Sequence, residues 1–310
     1  MSGLYRSKQG AQLIVQRYRD FLKLWPQPNR QFHVATRYGD TFVVTCGAED
    51  APPLLLLHGA GSNSAMWIAD AALLSTNFKL HAIDVIGEPG LSAESRPALN
   101  SDAYALWLED VLRALNIGRV SMLGISLGGW LALDFATRQP ARIDRLALIV
   151  PAGIGRQRPS LLFKILPLLF FGDWGRNKAL QIVIGPAAAN DHDHRPSYRG
   201  FMLLVQQHFR PRMQRLPIFP DAALRQLCMP VLAVLGGKDV ILDSNETKTR
   251  LQGAVPHAEI RYLPDVGHGV FGERPAILQF LTNKAGGADH FPHHVQKHQN
   301  AVQLQSTRNG

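Results

Sequence analysis

The sequence predicts an α/β protein: a mostly parallel central sheet with helices on both faces and an inserted helical cap. Three observations predict it. Short apolar runs alternate with helical segments along the chain, and this alternation breaks once, between 152 and 220. The pentapeptide Gly124-Ile125-Ser126-Leu127-Gly128 joins one apolar run to the helical segment after it. At 310 residues and 46% hydrophobic content, the chain can bury one large core, or one core with an inserted subdomain.

Residues 11–25 place Ile14, Tyr18, Phe21, Leu22 and Trp25 at helical spacing, with Arg17, Arg19 and Lys23 between them, and Pro26 and Pro28 end the segment. The unit 1–30 is expected to be an amphipathic helix docked on the main domain; contact of its basic face with a membrane surface is the reading not favoured. Segments 32–36 and 41–45, separated by Tyr38-Gly39-Asp40, read as a hairpin. Strands then follow at 53–57, 79–83, 120–123, 146–150, 231–235 and 259–263. Helices fit between them at 64–75, 102–116, 127–138, 244–252 and 273–284. Short apolar strands separated by helices indicate a parallel sheet covered on both faces, spanning 31–151 and 221–284.

Between 152 and 220, Leu161, Leu162, Phe163, Ile165, Leu166, Leu168, Leu169, Phe170 and Phe171 are interrupted by Lys164 and Pro167. The run is too short to span a bilayer and too apolar to be left in water, and it reads as helices of the cap. The tail 285–310, with His290, His293, His294 and His298 among Gly, Gln and Asn, lacks apolar periodicity and is expected to be disordered, any metal binding there being adventitious.

Composition narrows the function classes. No 18-residue apolar stretch occurs, and Arg6, Lys8 and Gln9 without an apolar run behind them do not read as a signal peptide, so a cytoplasmic protein is expected. Cys46 and Cys228 are too few for a disulfide framework or a metal cluster, and both lie in apolar neighbourhoods typical of unreactive thiols. The formal charge of +9 sits mostly at the ends: residues 1–30 hold six Lys/Arg against Asp20, residues 284–310 three against Asp289, and only +2 remains on the body. A nucleic-acid-binding surface is therefore not expected.

A serine between two glycines, entered from a strand and left by a helix, fits a sharp turn that exposes its hydroxyl. Leu131, Leu133, Phe135 and Ala136, stopped by Pro140, supply the helix, and Gly129 and Ala132 are small where that helix approaches its strand. Ser126 is thus the candidate nucleophile. A serine hydroxyl needs a base within hydrogen-bond reach and a third group to orient that base. Asp239 follows the strand 231–235 in Gly236-Gly237-Lys238-Asp239, and His268 follows the strand 259–263 in Asp265-Val266-Gly267-His268-Gly269. In an open parallel sheet, residues past the carboxyl ends of strands share one edge, where Ser126, Asp239 and His268 would converge. Asp243 or Asp265 are alternatives for the acid, whereas Val150-Pro151-Ala152-Gly153 after the strand 146–150 offers no carboxylate. After the strand 53–57, His58-Gly59-Ala60-Gly61-Ser62 is a glycine-rich turn able to aim a backbone N–H at a developing oxyanion. Ala60 is the expected donor, with Gly59 or Gly61 as alternatives, and Leu127 N–H is the second; His58 is expected to hold the loop's shape. Gly59, Gly61 and Ile125 would border the substrate.

HGAGS, GISLGG, GGKD and DVGHG, in this order and on these elements, resemble the α/β-hydrolase superfamily over about residues 31–284. One departure concerns the stretch from Asp84 to Ser92, which has one residue more than the DxxGxGxS of many members and leaves open the loop's shape and any contact by Glu88. The superfamily hosts several reactions, so the site must choose among them. A serine at position 126 argues against dehalogenases and epoxide hydrolases, which the resemblance associates with a carboxylate there. Acyl transfer to water needs no cofactor and no metal, and none is expected. The leading reading is a serine carboxylesterase acting on a small or medium apolar ester. The alternatives are a C–C bond hydrolase of aromatic ring-cleavage products and a non-catalytic ligand-binding protein on the same scaffold. Asp191-His192-Asp193-His194, checked as a metal motif, reads as a solvated turn.

Overall fold

Among the described residues eight strands form one sheet: β1 (Asn29–Val34), β2 (Thr41–Cys46), β3 (Pro53–Leu57), β4 (Lys79–Ile83), β5 (Val120–Ile125), β6 (Ile143–Ile149), β7 (Val231–Gly236) and β8 (Glu259–Leu263). The structure, a computed structural model, describes residues 3–158, 166–184 and 198–283. The strand order is β1-β2-β4-β3-β5-β6-β7-β8. The β1–β2 and β2–β4 pairs are antiparallel, and all pairs from β4 to β8 are parallel. Among the described residues the helices are α1 (Lys8–Leu22), α2 (Ile68–Leu74), α3 (Ala103–Ala114), α4 (Leu127–Arg138), α5 (Gly172–Ile184), α6 (Tyr198–His208), α7 (Asp221–Leu224), α8 (Ser244–Ala254) and α9 (Arg274–Thr282).

Alternate residues of each strand serve opposite faces. Leu55, Leu57, Met122, Leu148 and Ala233 join Trp107, Val111, Leu131 and Leu251 in one core, while Leu54, Leu56, Leu123, Ala147 and Leu232 join Tyr18, Ala71, Phe201 and Phe280 in the other. Burial on both faces is why the central strands read as continuous apolar runs.

Differences from the sequence expectation lie at element ends, where capping side chains decide. Helix α1 starts at Lys8 because Ser7 Oγ accepts the Gly10 N–H at 2.9 Å, and it stops at Leu22, with Trp25 buried beyond it. Strand β1 ends at Val34 because Thr36 closes a turn, its Oγ1 donating to Gly39 O and accepting from Tyr38 N. The 64–75 segment divides into a 3₁₀ turn (Ser64–Trp67) capped by Asn63 and then α2. Helix α1 buries Ile14, Tyr18, Phe21 and Leu22 against the body, leaving Arg17, Arg19 and Lys23 exposed.

Between β6 and β7, residues Leu166–Phe171 form a 3₁₀ helix followed by α5 and α6. The expectation that the apolar run is withdrawn from water fails at its end: Phe170 and Phe171 are 86% and 62% exposed, and Trp174, T-stacked on Phe171, is 63% exposed. Residues 161–165, the Asp191-His194 motif and the 285–310 tail lie outside the described residues. Cys46 is buried, its thiol pushed up to about 11 by desolvation, but Cys228 is exposed at the turn before Met229 and Pro230, which corrects the apolar setting expected for it. Among the described residues no helix is long and apolar enough to cross a membrane.

His81 stands on β4 opposite Thr45, both buried, and among the described residues His81 Nδ1 and Thr45 Oγ1 have no hydrogen-bond partner. Burial first, and the Lys79 cation second, hold the imidazole down at about 4 against an ordinary 6.5. The unfolded chain therefore takes up a proton that the fold refuses. Stability from this residue is full above pH 6.5 and is lost as pH falls through the folded value of about 4. Urea midpoints are expected to register a loss on the order of 2 kcal/mol between about pH 7 and pH 5, and His81→Leu should remove that component.

Candidate active site

Ser126 sits between β5 and α4 with φ 52° and ψ −108°, a left-handed backbone that costs an L-residue roughly 1–2 kcal/mol. The turn is over-determined: Ser126 N donates to Ile149 O at 3.0 Å, and Ser126 O accepts from Trp130 N and Ala152 N at 3.0 and 3.2 Å. The neighbouring glycines are steric requirements. A Cβ on Gly124 would collide with Gly128 O, and one on Gly128 with Leu57 O; one on Gly129 would lie 2.9 Å from Pro151 Cβ. Val150, which follows β6, adopts φ 39°, also left-handed, and turns the chain so that Ala152 reaches Ser126.

The loops after β7 and β8 interlock. Gly237 N donates to Leu263 O and Lys238 N to Val266 O at 2.8 and 2.9 Å, and Gly236 leaves no space for a side chain beside Gly267 O. This brings Asp239 and His268 together. His268 Nδ1 lies 2.7 Å from Asp239 Oδ2, and His268 Nε2 lies 3.0 Å from Ser126 Oγ. Asp239 is buried, and its other oxygen accepts from Ile241 N and Leu242 N at 2.7 and 3.0 Å, so both oxygens are held. With the carboxylate as acceptor, Nδ1 carries the proton and Nε2 is free to accept from the serine hydroxyl. The other acids weighed from the sequence stand elsewhere. Asp243 caps α8 by accepting from Glu246 N at 3.0 Å, and Asp265 is an exposed partner of Lys238 at 2.7 Å.

The loop from His58 to Ser64 packs beside the serine: a Cβ added to Gly59 would lie 3.7 Å from Ile125 O and 3.8 Å from Ser126 Cβ. Its contacts run to the loop after β4. Val85 N donates to His58 Nε2 at 2.9 Å, so His58 Nδ1 donates to Gly59 O at 2.8 Å, and burial lowers the affinity of this imidazole for a second proton. Asn63 Nδ2 donates to Pro89 O at 2.8 Å, and Ser64 N and Oγ both donate to Asp84 Oδ1. Gly61 N donates to Glu88 Oε2 at 2.7 Å, which commits one of the three N–H groups considered as oxyanion donors. Among the described residues the N–H groups of Ala60 and Leu127 have no protein acceptor. Ile125, half-buried, adjoins the core on the α1 side.

Four residues here escaped the sequence reading as site components. Asp84 is a buried hub, accepting from Tyr18 Oη and Ser64 on one oxygen and from Leu91 N on the other. Tyr198 Oη meets Ser62 Oγ at 2.5 Å. Glu88, whose contact the extra loop residue left open, is buried against Gly61. Only the acidic residues within the irregular 84–92 stretch signalled this; nothing in sequence linked Tyr18 or Tyr198 to it. Among the described residues no cluster of three or more His, Cys, Asp or Glu could hold a metal.

Residues 54–278 match the Alpha/beta hydrolase family. An uncharacterized carboxylesterase, nap, of Bacillus subtilis is 30% identical over 284 residues, covering 87% of this chain and 93% of its own. The crystal structure of naproxen esterase (carboxylesterase NP) from Bacillus subtilis superposes with a TM-score of 0.75 at 31% identity, covering 88% of this chain and 96% of its own. Carboxylesterase CesB (YbfK) of the same species gives a TM-score of 0.75 at 28% identity, over 88% of this chain and 99% of its own.

The Gly128 contact has a direct test. Gly128→Ala forces a methyl into the Leu57 carbonyl, and backbone cannot yield as a flexible side chain would. A loss of more than about 3 kcal/mol is expected in denaturant unfolding, whereas Ala132→Gly, buried in the same helix, should lose only about 2 kcal/mol, helix propensity and one buried methyl together.

Proposed function

Because the chain belongs to the α/β-hydrolase family and is a serine-esterase-like hydrolase, we propose that it cleaves small or medium apolar carboxylic esters through an acyl-enzyme on Ser126. The observation that carries this reading is the continuous hydrogen-bond relay from Ser126 Oγ through His268 to the buried Asp239, at 3.0 and 2.7 Å.

Ser126 Oγ attacks the ester carbonyl as His268 Nε2 takes its proton, and Asp239 stabilises the imidazolium while holding Nδ1–H in place. The developing oxyanion is received by the N–H groups of Ala60 and Leu127, each such donor being worth roughly 3–4 kcal/mol in the transition state. His268 then protonates the leaving alcohol, and water activated by the same imidazole releases the acid. Gly59, Gly61 and Ile125 border the bound ester. The apolar preference is supported by the Leu and Phe content of the segment between β6 and β7, and an aromatic acyl group is supported by the name of the relative called naproxen esterase.

The test is a panel of p-nitrophenyl esters of graded chain length, with one arylpropionate ester added. Wild type should turn over the shorter and medium esters, and Ser126→Ala should lose on the order of 10⁶ in kcat. Equal turnover by the two proteins, or none by wild type, overturns the reading. Asp239→Asn should lower kcat by about 10⁴ through the wrong imidazole tautomer. Asp243→Asn and Asp265→Asn should stay within about threefold of wild type, since surface ion pairs and caps contribute little to such a step.

A further inference from the structure

We infer that Glu88 is a positioning residue for the oxyanion loop: its carboxyl fixes the Gly61 N–H and so holds the Ala60 N–H aimed at the carbonyl that Ser126 attacks. This rests on the ester-hydrolysis reading above and adds to it a residue outside the Ser-His-Asp set.

Four contacts zip the loop 58–64 to the loop 84–89. Three of them grip its ends, at His58, Asn63 and Ser64. Among the described residues Glu88 alone holds the Ala60–Gly61 peptide, accepting from Gly61 N at 2.7 Å, while Ser62 beyond it meets Tyr198. The middle is the part least able to hold itself. Ala60 is exposed, Gly61 takes φ +66° and, among the described residues, nothing beyond its chain neighbours lies within 4 Å of the Cβ position at Gly61, so packing does not constrain it. The Gly61 N–H and the Ala60 carbonyl belong to one peptide plane. Anchoring that plane fixes ψ of Ala60, and with it the setting of the neighbouring Gly59–Ala60 peptide whose N–H is the donor.

Glu88 is itself held for this task. Its N donates to Val85 O at 3.1 Å and its O accepts from Gly90 N at 2.8 Å, while Gly87, at φ +75°, is tied by Ala93 O and by Arg96 Nε. The side chain is only 5% exposed and, among the described residues, has no salt-bridge partner; Arg96 and Arg212 are the cations that face it, and both spend their guanidinium donors on backbone carbonyls, Gln214 or Tyr104. Desolvation pushes the carboxyl up to about 7. A buried carboxyl with one protein hydrogen bond destabilises a fold, and an apolar residue of the same size would serve packing better. Either protonation state offers Oε2 as an acceptor, so the grip does not depend on charge.

The experiment compares Glu88→Gln, which keeps an acceptor without a charge, with Glu88→Leu, which keeps the volume without an acceptor. Readouts are kcat and KM on the fastest p-nitrophenyl ester, inhibition by a trifluoromethyl ketone that adds to Ser126 as an oxyanion, and thermal unfolding. Glu88→Leu should fold at least as stably as wild type yet lose on the order of 10² in kcat with KM within about threefold, and trifluoromethyl ketone affinity should fall in parallel. Glu88→Gln should stay within about fivefold of wild type on all three, since a neutral amide oxygen still accepts the N–H. If Glu88→Leu does not accumulate as folded protein, Glu88→Ala supplies the same contrast. Wild-type kcat in the folded apolar variant, a loss confined to KM, or a Gln variant as impaired as the Leu variant overturns the inference. Those outcomes leave the ester reading standing as long as Ser126→Ala abolishes wild-type turnover; a wild type inactive on every ester overturns both.

Discussion

Helix α4 lies so close to the backbone of β3 and β5 that no side chain fits between them, and the arrangement around Ser126 depends on that approach. Gly128 faces the Leu57 carbonyl, Gly124 faces the Gly128 carbonyl, and Gly129 faces Pro151. The approach forces the reversal from strand to helix into a single residue, which takes the left-handed backbone of Ser126. It also sets Gly59 so near Ile125 and Ser126 that an added Cβ would just touch both, because the loop after β3 starts where Leu57 ends. One backbone contact thus sets both the exposure of the hydroxyl and the distance of the loop opposite it.

The supporting shell is of a different kind. Around Ser126 geometry is set by the absence of atoms, whereas around the 58–64 loop it is set by polar contacts: Asp84 with Ser64, Pro89 with Asn63, Glu88 with Gly61 and Val85 with His58. A second tier reaches outward, from Tyr198 to Ser62 and from Tyr18 to Asp84, both rings packing on Phe201, Tyr198 also on Phe21. Steric exclusion tolerates no gradation. Polar clamps permit substitution by any group that still accepts or donates.

That difference explains what could be read from the chain. The α/β fold and its central strands were legible because burial on both faces leaves only apolar residues to write them with, as in Leu54 to Leu57. Ser126 stood out because it lies between glycines that crowding demands, and Asp239 and His268 because each follows the end of an apolar strand in a glycine-containing turn. Element ends were less legible, since Ser7, Thr36 and Asn63 set them through single hydrogen bonds that many serines, threonines and asparagines never make. Tyr18, Tyr198 and Glu88 were least legible: their partners lie 66, 136 and 27 residues away, and no local pattern announces such a pairing. The exposure of Phe170, Phe171 and Trp174 contradicts the rule that an apolar run hides itself, which holds for regular packed layers.

The hydrogen bond from Tyr18 to Asp84 means that the segment matched by the family and the unit that folds do not coincide. The family match begins at residue 54, yet α1 supplies a donor to a buried carboxylate inside that match and adds Phe21 and Leu22 to the core on one face of the sheet, which Trp25, just past the helix, joins. A fragment cut to residues 54–278 would carry every residue proposed to touch the ester and still leave Asp84 short of a partner and a face of the sheet wet. The N-terminal helix is thus a component of the interior although it stands before the residues that the family match covers.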